Sequence, residues 1–585
     1  MTMHDGCRGL IAVALISLLL IPAAAAAPPS PKFVKTQESD EWVEKTFHLQ
    51  RRYSHVLLVG SGADIRNVTV APLDLNHPFA ETAGRSYPIY QRFVTLQEAA
   101  DAARGGDLVA VLPGHYAGFV LRDKSDARDG KYIHFKALGT PGSVVIDQAS
   151  PVPDWMVLLE AAHHVILEGF NIAGMTGPGL EPKGPRAGIM LGTNFGVHGK
   201  QAHHIAIVRV FSHNHRMWGL HSTDTHTVLI EDSVFALSCI EHSAYVSDGS
   251  DNYVIRRNIF FGSYASGLQI NLDPESSLHE VLRLPRFKDF PAEQPTREWA
   301  QKLLQAANQE FGENNYPDGR GINFIVEENV INGNGKRGGG SLNLAGLQDS
   351  LIQNNLIYGN FNHGIALWDN GNPYDASAVL PGPSSPEQAS DPSMLPFWGC
   401  QRNLIRNNTV LLDAKGRDAL LLNNGSWGNV MRNNILINDQ PNSLEVTATS
   451  IYRLDSGYNV LNTIHYVGVS AHSLPWVIQP GSKAVTSPFS ETEMLPALKQ
   501  IALHLDENNH SRDGFNREGV ANEFVKYNEE PWIVIEDGMW RLNPARPDLH
   551  PRSGSTLLTD IVDPKQLPQR NAGGERRQTP SVGAY

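Results

Sequence analysis

Cysteine is nearly absent: three residues in 585, at Cys7, Cys239 and Cys400. Three thiols cannot build a disulfide framework or a four-cysteine zinc site. A basic excess is missing too. Lysine and arginine number 48 against 61 acids, a formal charge of −13. That excludes a nucleic-acid binder that works through a basic surface. Long apolar runs are also missing. The stretch LIAVALISLLLI at 10–21 has 12 residues, short of the ~20 that a membrane-spanning helix needs, and no later stretch is long enough. With 41% hydrophobic and 19% charged residues, collagen-like, coiled-coil and wholly disordered chains are excluded. What is plentiful is turn-forming residues, 52 Gly and 37 Pro spread throughout, which argues for many short elements. Division at ~150 residues per domain would suggest about four domains.

The 10–21 run follows Arg8 and precedes Pro22 and the small residues Ala23 to Ala27. This layout predicts a secretory signal peptide over 1–27, cut near Ala25–Ala27. Cys7 leaves with it, and whether Cys239 and Cys400 pair is not decided by spacing. The expectation is an exported monomer, periplasmic or extracellular, with no membrane span.

The middle of the chain repeats. NYVIRRNIFFG, INFIVEENVING, DSLIQNNLIYGN, NLIRNNTVLL and NVMRNNILIN align on Asn258, Asn329, Asn355, Asn408 and Asn434, with gaps of 71, 26, 53 and 26. Setting aside insertions at 274–320 and 372–401 brings both long gaps near one repeat. Earlier copies, HHVILEGFNIAG, HHIAIVRVFSHN and HTVLIEDSVFA, keep the apolar pattern without the Asn. Each repeat has a second strand-like half: GLHST, SAYVS, GLQIN, SLNLA, GIALW and ALLLN. Several short strands per ~25 residues without helical periodicity predict a stacked parallel β-solenoid. The recurring Asn has two candidate reasons: tolerance of left-handed backbone and amide hydrogen bonds between stacked copies. Ahead of the repeats, Thr95 and Glu98 form a capping-box pattern for a helix that would cover the open end of the solenoid.

That helix with GDLVAVLPGHYAG after it, the repeats ending in NN-I or RN-I, and the closing TPSVGAY resemble the right-handed parallel β-helix proteins of the pectin-lyase-like superfamily. The resemblance spans roughly 91–470 plus the tail. It implies an all-β, right-handed parallel β-helix with an N-terminal capping helix and a less regular C-terminal region. For function it implies only a range: polysaccharide lyases, glycoside hydrolases, uronate epimerases and non-catalytic binding or assembly proteins. The Asp-Pro-His-Asp motif of alginate epimerases is missing. So are the Asn-Thr-Asp and Gly-His-Gly motifs of polygalacturonases, which Asn362-His363-Gly364 echoes only in part. The organisation expected is a leader over 1–27, a segment of unassigned role over 28–90, the β-helix over 91–470 and a C-terminal capping region over 471–585. In that last region PFSETEMLPALKQIALHLD predicts a helix and PWIVIEDGMWRLNP a hairpin turning at Asp537-Gly538.

Alternation in the second-half strands points His221, Tyr245, Gln269, Asn343, Ala366 and Leu421 outward in one column. Thr223, Ser247, Asn271, Ala345, Trp368 and Asn423 form the next. Trp218, His242 and His363 precede these strands, and both insertions leave the chain just after them, so they should wall a groove on this face. Rings and amides in a long groove suit a polysaccharide. β-Elimination on an acidic polymer needs a cation or metal at the carboxylate, a base and an acid. His215, His221, His242 and Tyr245 offer base and acid; Arg216, Arg320, Lys336 and Arg337 offer the cation. Catalysis is therefore expected from His215, Arg216, His221, His242 and Tyr245. Substrate contacts are expected from Trp218, Gln269, Asn271, Arg320, Lys336, Arg337, Asn343, His363, Trp368 and Asp369. Hydrolysis would need paired carboxylates, with Glu241, Asp248, Asp273 and Asp369 nearest. Asp248 and Asp251 in SDGSDN have oxygens suited to Ca²⁺, although the composition is equally that of a plain turn. We read it as a turn, and no cofactor is fixed by sequence. His163-His164 and His203-His204 open strands and read as structural. A non-catalytic carbohydrate-binding or assembly role is the remaining class.

Overall fold

The structure is a computed structural model. It describes residues 36–47, 53–62, 65, 88–467, 504–507, 510–511, 521–552 and 555, with gaps at 125, 128–130, 176–183, 193, 313–314, 370, 376–390, 392–394, 414, 440–442 and 462–463. The leader over 1–27, the tail TPSVGAY and most of the expected helix in PFSETEMLPALKQIALHLD lie outside these residues. The end of that last segment is strand, His504–Glu507, paired with Asp455–Gly457.

Among the described residues, three parallel sheets of 14, 12 and 11 strands run the length of the body. Successive strands visit the first, second and third sheet in turn, as in His163–Glu168, Asn171–Ala173 and Ala187–Gly192. The next coil repeats this one rung on. This is a right-handed parallel β-helix, the hand that parallel crossovers take. Inward side chains stack into columns, for example Leu167, Ile207, Ile230, Ile255, Val326, Ile352, Ile405 and Met431, each fully buried.

The turn between the first and second sheets holds the Asn register. Asn258, Asn329, Asn355, Asn408 and Asn434 each donate an Nδ2 hydrogen to the Oδ1 of the Asn on the next rung, at 2.9–3.1 Å and ending on Asn459. Each Nδ2 also donates to the backbone carbonyl three residues before the equivalent position of the preceding rung, such as Val326 for Asn355. Each Oδ1 also takes the preceding Asn's backbone N–H. The amides are thus satisfied while fully buried. Backbone conformation is not what selects them, contrary to one of the two expected reasons. The left-handed residue is the one before: Arg257, Glu328, Asn354, Asn407, Asn433 and Tyr458, with φ between 53° and 58°.

Thr95 caps the helix Leu96–Ala102 and Glu98 completes the box. Leu96, Ala99 and Ala100 close the N-terminal end of the core. The segment over 28–90 contributes a helix and strands. Helix Thr36–Phe47 lays Val43 and Phe47 on the outward apolar column of the first sheet, Ile166, Ala206, Leu229 and Val254. Strands Val56–Val59 and Ile89–Phe93 extend that sheet. At the other end of the sequence, the hairpin Ile533–Glu536/Met539–Leu542 turns at Asp537-Gly538 as expected. Phe524, Ile533 and Leu549 cover Phe211, Val234, Ile259 and Val330 on the outside of the second sheet. Asn171 donates to the carbonyl of Gly538 at 3.2 Å, so the C-terminal segment runs back along the flank. Cys239 and Cys400 are unpaired.

Asn355→Ala should expose the ladder's importance. It strands several buried partners at once, each costing about 1–3 kcal/mol, whereas Asn308→Ala on the exposed face of an insertion helix should change stability by about 0.5 kcal/mol or less. Urea unfolding of both variants compares them, and equal losses would contradict the role given to the amide column.

Candidate functional site

The third sheet carries the site, and its register places every outward residue. His221 pairs in register with Tyr245, Tyr245 with Gln269, Gln269 with Asn343, and Asn343 with Ala366. The expected polar row is therefore present. His221 and Tyr245 stack face to face, with ring centres 4.9 Å apart and planes 7° off parallel. Asn343 donates to Gln269 Oε1 at 2.7 Å, and both of those side chains are buried. Asn271 Nδ2 reaches the Tyr245 hydroxyl at 3.4 Å.

Trp218 packs against this stack, 4.5 Å from His221 and 5.9 Å from Tyr245 between ring centres. Two rungs before it in sequence, Trp155 lies 6.4 Å from His221. The Arg186 guanidinium sits over both indoles, 5.7 Å from Trp155 and 5.2 Å from Trp218, a cation–π arrangement. Burial pushes His221 down to about 3, helped by Arg186 and His242. Burial pushes His242 down to about 3 as well, with Arg337 adding to it. Its Nδ1 accepts from Ser266 N–H at 3.0 Å. Burial drives Tyr245 the other way, up to about 12. Both imidazoles are therefore neutral and the phenol protonated across the neutral range. Trp218 Nε1, His221 Nδ1 and Asn271 Oδ1 are buried with no hydrogen-bond partner among the described residues.

A cleft of about 580 Å³ adjoins the stack on its N-terminal side. Trp155, Leu158, Met190, Glu160, Thr223, Asp224 and Asp248 line it, together with Glu280 of the helix Pro274–Leu282 and Arg283 at that helix's C-cap. Asp224 and Asp248 occupy the same position on successive rungs, each with left-handed backbone just past its strand. Asp248 accepts from the Thr223 hydroxyl at 2.5 Å and the Ser247 hydroxyl at 3.0 Å. Burial raises it to about 6, and raises Asp224, next to Asp248, well above the usual carboxylate range.

Several expected roles need correction. His215 is fully buried inside the coil: its Nε2 lies 2.9 Å from Ser212 Oγ. A Cβ on Gly188 would stand 2.5 Å from that nitrogen, so the glycine is what makes room for the ring. Arg320 is engaged by Asp318 through both Nε and Nη2 and lies over Phe397. Arg337 is ion-paired with Glu241, and His363 Nδ1 lies 2.8 Å from the Asp418 carboxylate. Lys336 is exposed over the Phe361 ring, and Arg216 is exposed at the turn after the second sheet. Neither joins the stack. Trp368 stays in the outward column two rungs past Asn271, while Asp369 is buried and accepts from Gly371 N–H. Of the hydrolytic carboxylates only Asp248 lines the cleft. Asp273 caps the helix Pro274–Leu282 by accepting from Glu275 and Ser276 N–H. Asp251 accepts from Ile322 N–H at 2.7 Å, away from Asp248. Among the described residues neither belongs to a converging set of three His, Cys or acid donors.

Both insertions rise beside this face and pack together, Trp299 and Phe287 from one with Tyr374 and Trp398 from the other. Trp155, Arg186, Glu160, Asp224 and Glu280 escaped the sequence reading. The alternation of WMVLLE signals Glu160 alone: Arg186 precedes the strand Ala187–Gly192, and the pattern breaks beside Trp155, where Met156 and Val157 are both core.

No family model matches the chain, and neither does any curated protein. Among solved structures, a pectate lyase, Pel9A, is 11% identical with a TM-score of 0.44, over 93% of this chain and 99% of that one. An alginate lyase from Paenibacillus sp. str. FPU-7 is 14% identical with a TM-score of 0.32, over 64% and 93%. A surface adhesin of Streptococcus pneumoniae, PfbA, is 12% identical with a TM-score of 0.38, over 63% and 82%. The fold assignment rests on the three sheets themselves, and no chemistry is taken from these likenesses.

Asp248 gives a titration that tests the cleft. Its folded pKa lies above the unfolded value, so the folded state binds the extra proton and stability falls as pH rises from about 4 to 6. Asp248→Asn removes that loss. Its stability relative to the parent should therefore increase from pH 4 to pH 7 in urea unfolding; a constant difference would mean that Asp248 is not desolvated.

Proposed function

We propose that this protein is a polysaccharide-active enzyme that cleaves an extended, uronate-containing chain along the third sheet by β-elimination. The observation that carries the reading is the His221–Tyr245 stack with Arg186 beside it: a neutral imidazole, a protonated phenol and a cation on one face. In this scheme Arg186 holds the uronate carboxylate and His221 takes the C5 proton. The electrons of the broken C–H bond form the C4–C5 double bond as the C4–O bond breaks. Tyr245 donates its proton to the leaving oxygen. The bound carboxylate offsets Arg186 and so raises the basicity of His221 on binding, in keeping with the need for a base matched to the working pH. His242, 5.4 Å from Tyr245 between ring centres and held by Ser266, orients the phenol. Trp155 and Trp218 offer flat faces to sugar rings.

Hydrolysis is the second reading, and Asp224 with Asp248 favours it. Their rungs are ~4.8 Å apart, close to the ~5 Å carboxyl separation of retaining glycosidases. The raised Asp248 could serve as the acid.

Incubation with a panel of uronate polymers separates the readings. Unsaturated ends that absorb in the ultraviolet support elimination; new reducing ends without that absorbance support hydrolysis. Binding with neither product would overturn both in favour of a carbohydrate-binding or assembly protein. On the polymer that is cleaved, His221→Ala and Tyr245→Phe should each lower kcat on the order of 100-fold or more without changing Tm. Full turnover in both variants, with loss in Asp248→Asn, would move the chemistry to the carboxylates.

A further inference from the structure

Three successive rungs of the first sheet carry histidines at their start, on a face separate from the groove. His163 and His164 open the strand His163–Glu168, His203 and His204 lie in Ala202–Val208, and His226 lies in Thr225–Glu231. Register sets His163, His203 and His226 in one column. Their rings stack with centres 4.9 and 4.8 Å apart and planes within 12° of parallel. In the adjacent column His164 stacks on His204 at 4.5 Å. The columns also meet sideways. The Nδ1 atoms of His163 and His164 are 3.0 Å apart, and those of His203 and His204 are 2.8 Å apart. Nitrogens this close cannot both carry protons, so one ring of each pair presents a lone pair toward the other.

The turn itself does not require imidazoles here. The second position of this turn is left-handed on rung after rung: His164, His204, Thr227, Asn252 and Asn323, with φ of 53–62°. Asn252 and Asn323 meet that backbone requirement with a small amide. Two rungs in succession instead place a ring there, beside another ring.

From this geometry we propose that His164, His203 and His204 form a site for one divalent transition metal of the zinc and copper class, bridging two rungs. One ring nitrogen from each lies within 4.8 Å of the other two. Two nitrogens on a tetrahedral ion at ~2.1 Å stand about 3.4 Å apart, so small ring rotations bring the set to ligand spacing. Imidazole-only donors suit Zn²⁺, Cu²⁺ or Ni²⁺ and not Ca²⁺ or Mg²⁺, which take oxygen. Three protein ligands leave a fourth position for water. His203 and His204 are half-buried, which leaves a path in, while Tyr132 backs His164 at 5.0 Å. His226 stacks on His203 as its neighbour and is outside the ligand set.

The test uses the untagged full-length protein and ZnCl₂ in a weakly coordinating buffer. Calorimetry should show one Zn²⁺ per chain, and a thermal scan should show Tm rising with zinc and not with CaCl₂. The double variant His164→Asn/His204→Asn keeps residues suited to the left-handed backbone and should bind Zn²⁺ at least 100-fold more weakly; His226→Ala should bind as the parent does. Independently of any variant, CoCl₂ added to the parent should give the visible bands of tetrahedral nitrogen coordination. Absence of both zinc heat and cobalt bands would overturn the site, as would undiminished binding in a folded double variant.

Discussion

The buried amide column at the turn between the first and second sheets is the constraint on which the rest depends. A parallel coil has no hairpin to set its register, and a slip of one residue would send each inward side chain outward. Each Asn prevents such a slip because its Oδ1 and Nδ2 are committed to fixed atoms of the rungs on either side. Displacement in either direction would leave buried amides unpaired, a cost that rises with every rung added. The column begins at Ser233, whose N–H donates to Asn258, and runs to Asn459. The earlier rungs lack it. There Val210 and Phe170 hold the equivalent position, and buried apolar stacking is joined by isolated polar contacts between rungs, such as His213 Nε2 with Asn171 Oδ1 and His134 with Glu168.

Because register is held at one corner, the third sheet becomes a set of straight columns, and chemistry follows from which residues share one. His221 and Tyr245 stack because both occupy the same pleat one rung apart. Asp224 and Asp248 share a position for the same reason; burial raises both pKa values, and the charge of Asp248 adds to the rise at Asp224. The insertions then decide access. The helix Pro274–Leu282 and its C-cap supply Glu280 and Arg283 to the cleft, while the aromatic cluster of Trp299, Tyr374 and Trp398 braces both insertions against each other.

Much of this was legible. Alternation and the Asn register assigned the outward columns residue by residue, because both depend on local pattern that the coil preserves. What escaped depends on contacts the pattern does not carry. His215 belongs to a turn rather than a strand, so alternation says nothing about it, and the absence of a Cβ at Gly188 on the preceding rung decides its burial. Sequence alone offers Arg320 as a cation, but Asp318, two residues away, holds it with two hydrogen bonds. Arg186 lies in a stretch, GPRAGIMLG, whose glycines obscured the strand start. Of the two reasons expected for the Asn only one holds: the left-handed residue stands one place earlier, and the ladder residue is chosen for its hydrogen bonds.

The net charge of −13 bears on the groove through pairing rather than through the total. Arg122 faces Glu160, Arg283 faces Glu280, Arg337 faces Glu241 and Arg320 faces Asp318. Each pair presents little net field to a ligand. Arg186 is different, because its partners are the faces of two indoles, and these do not cancel its charge. In the proposed elimination Arg186 is therefore the cation left to face a substrate carboxylate.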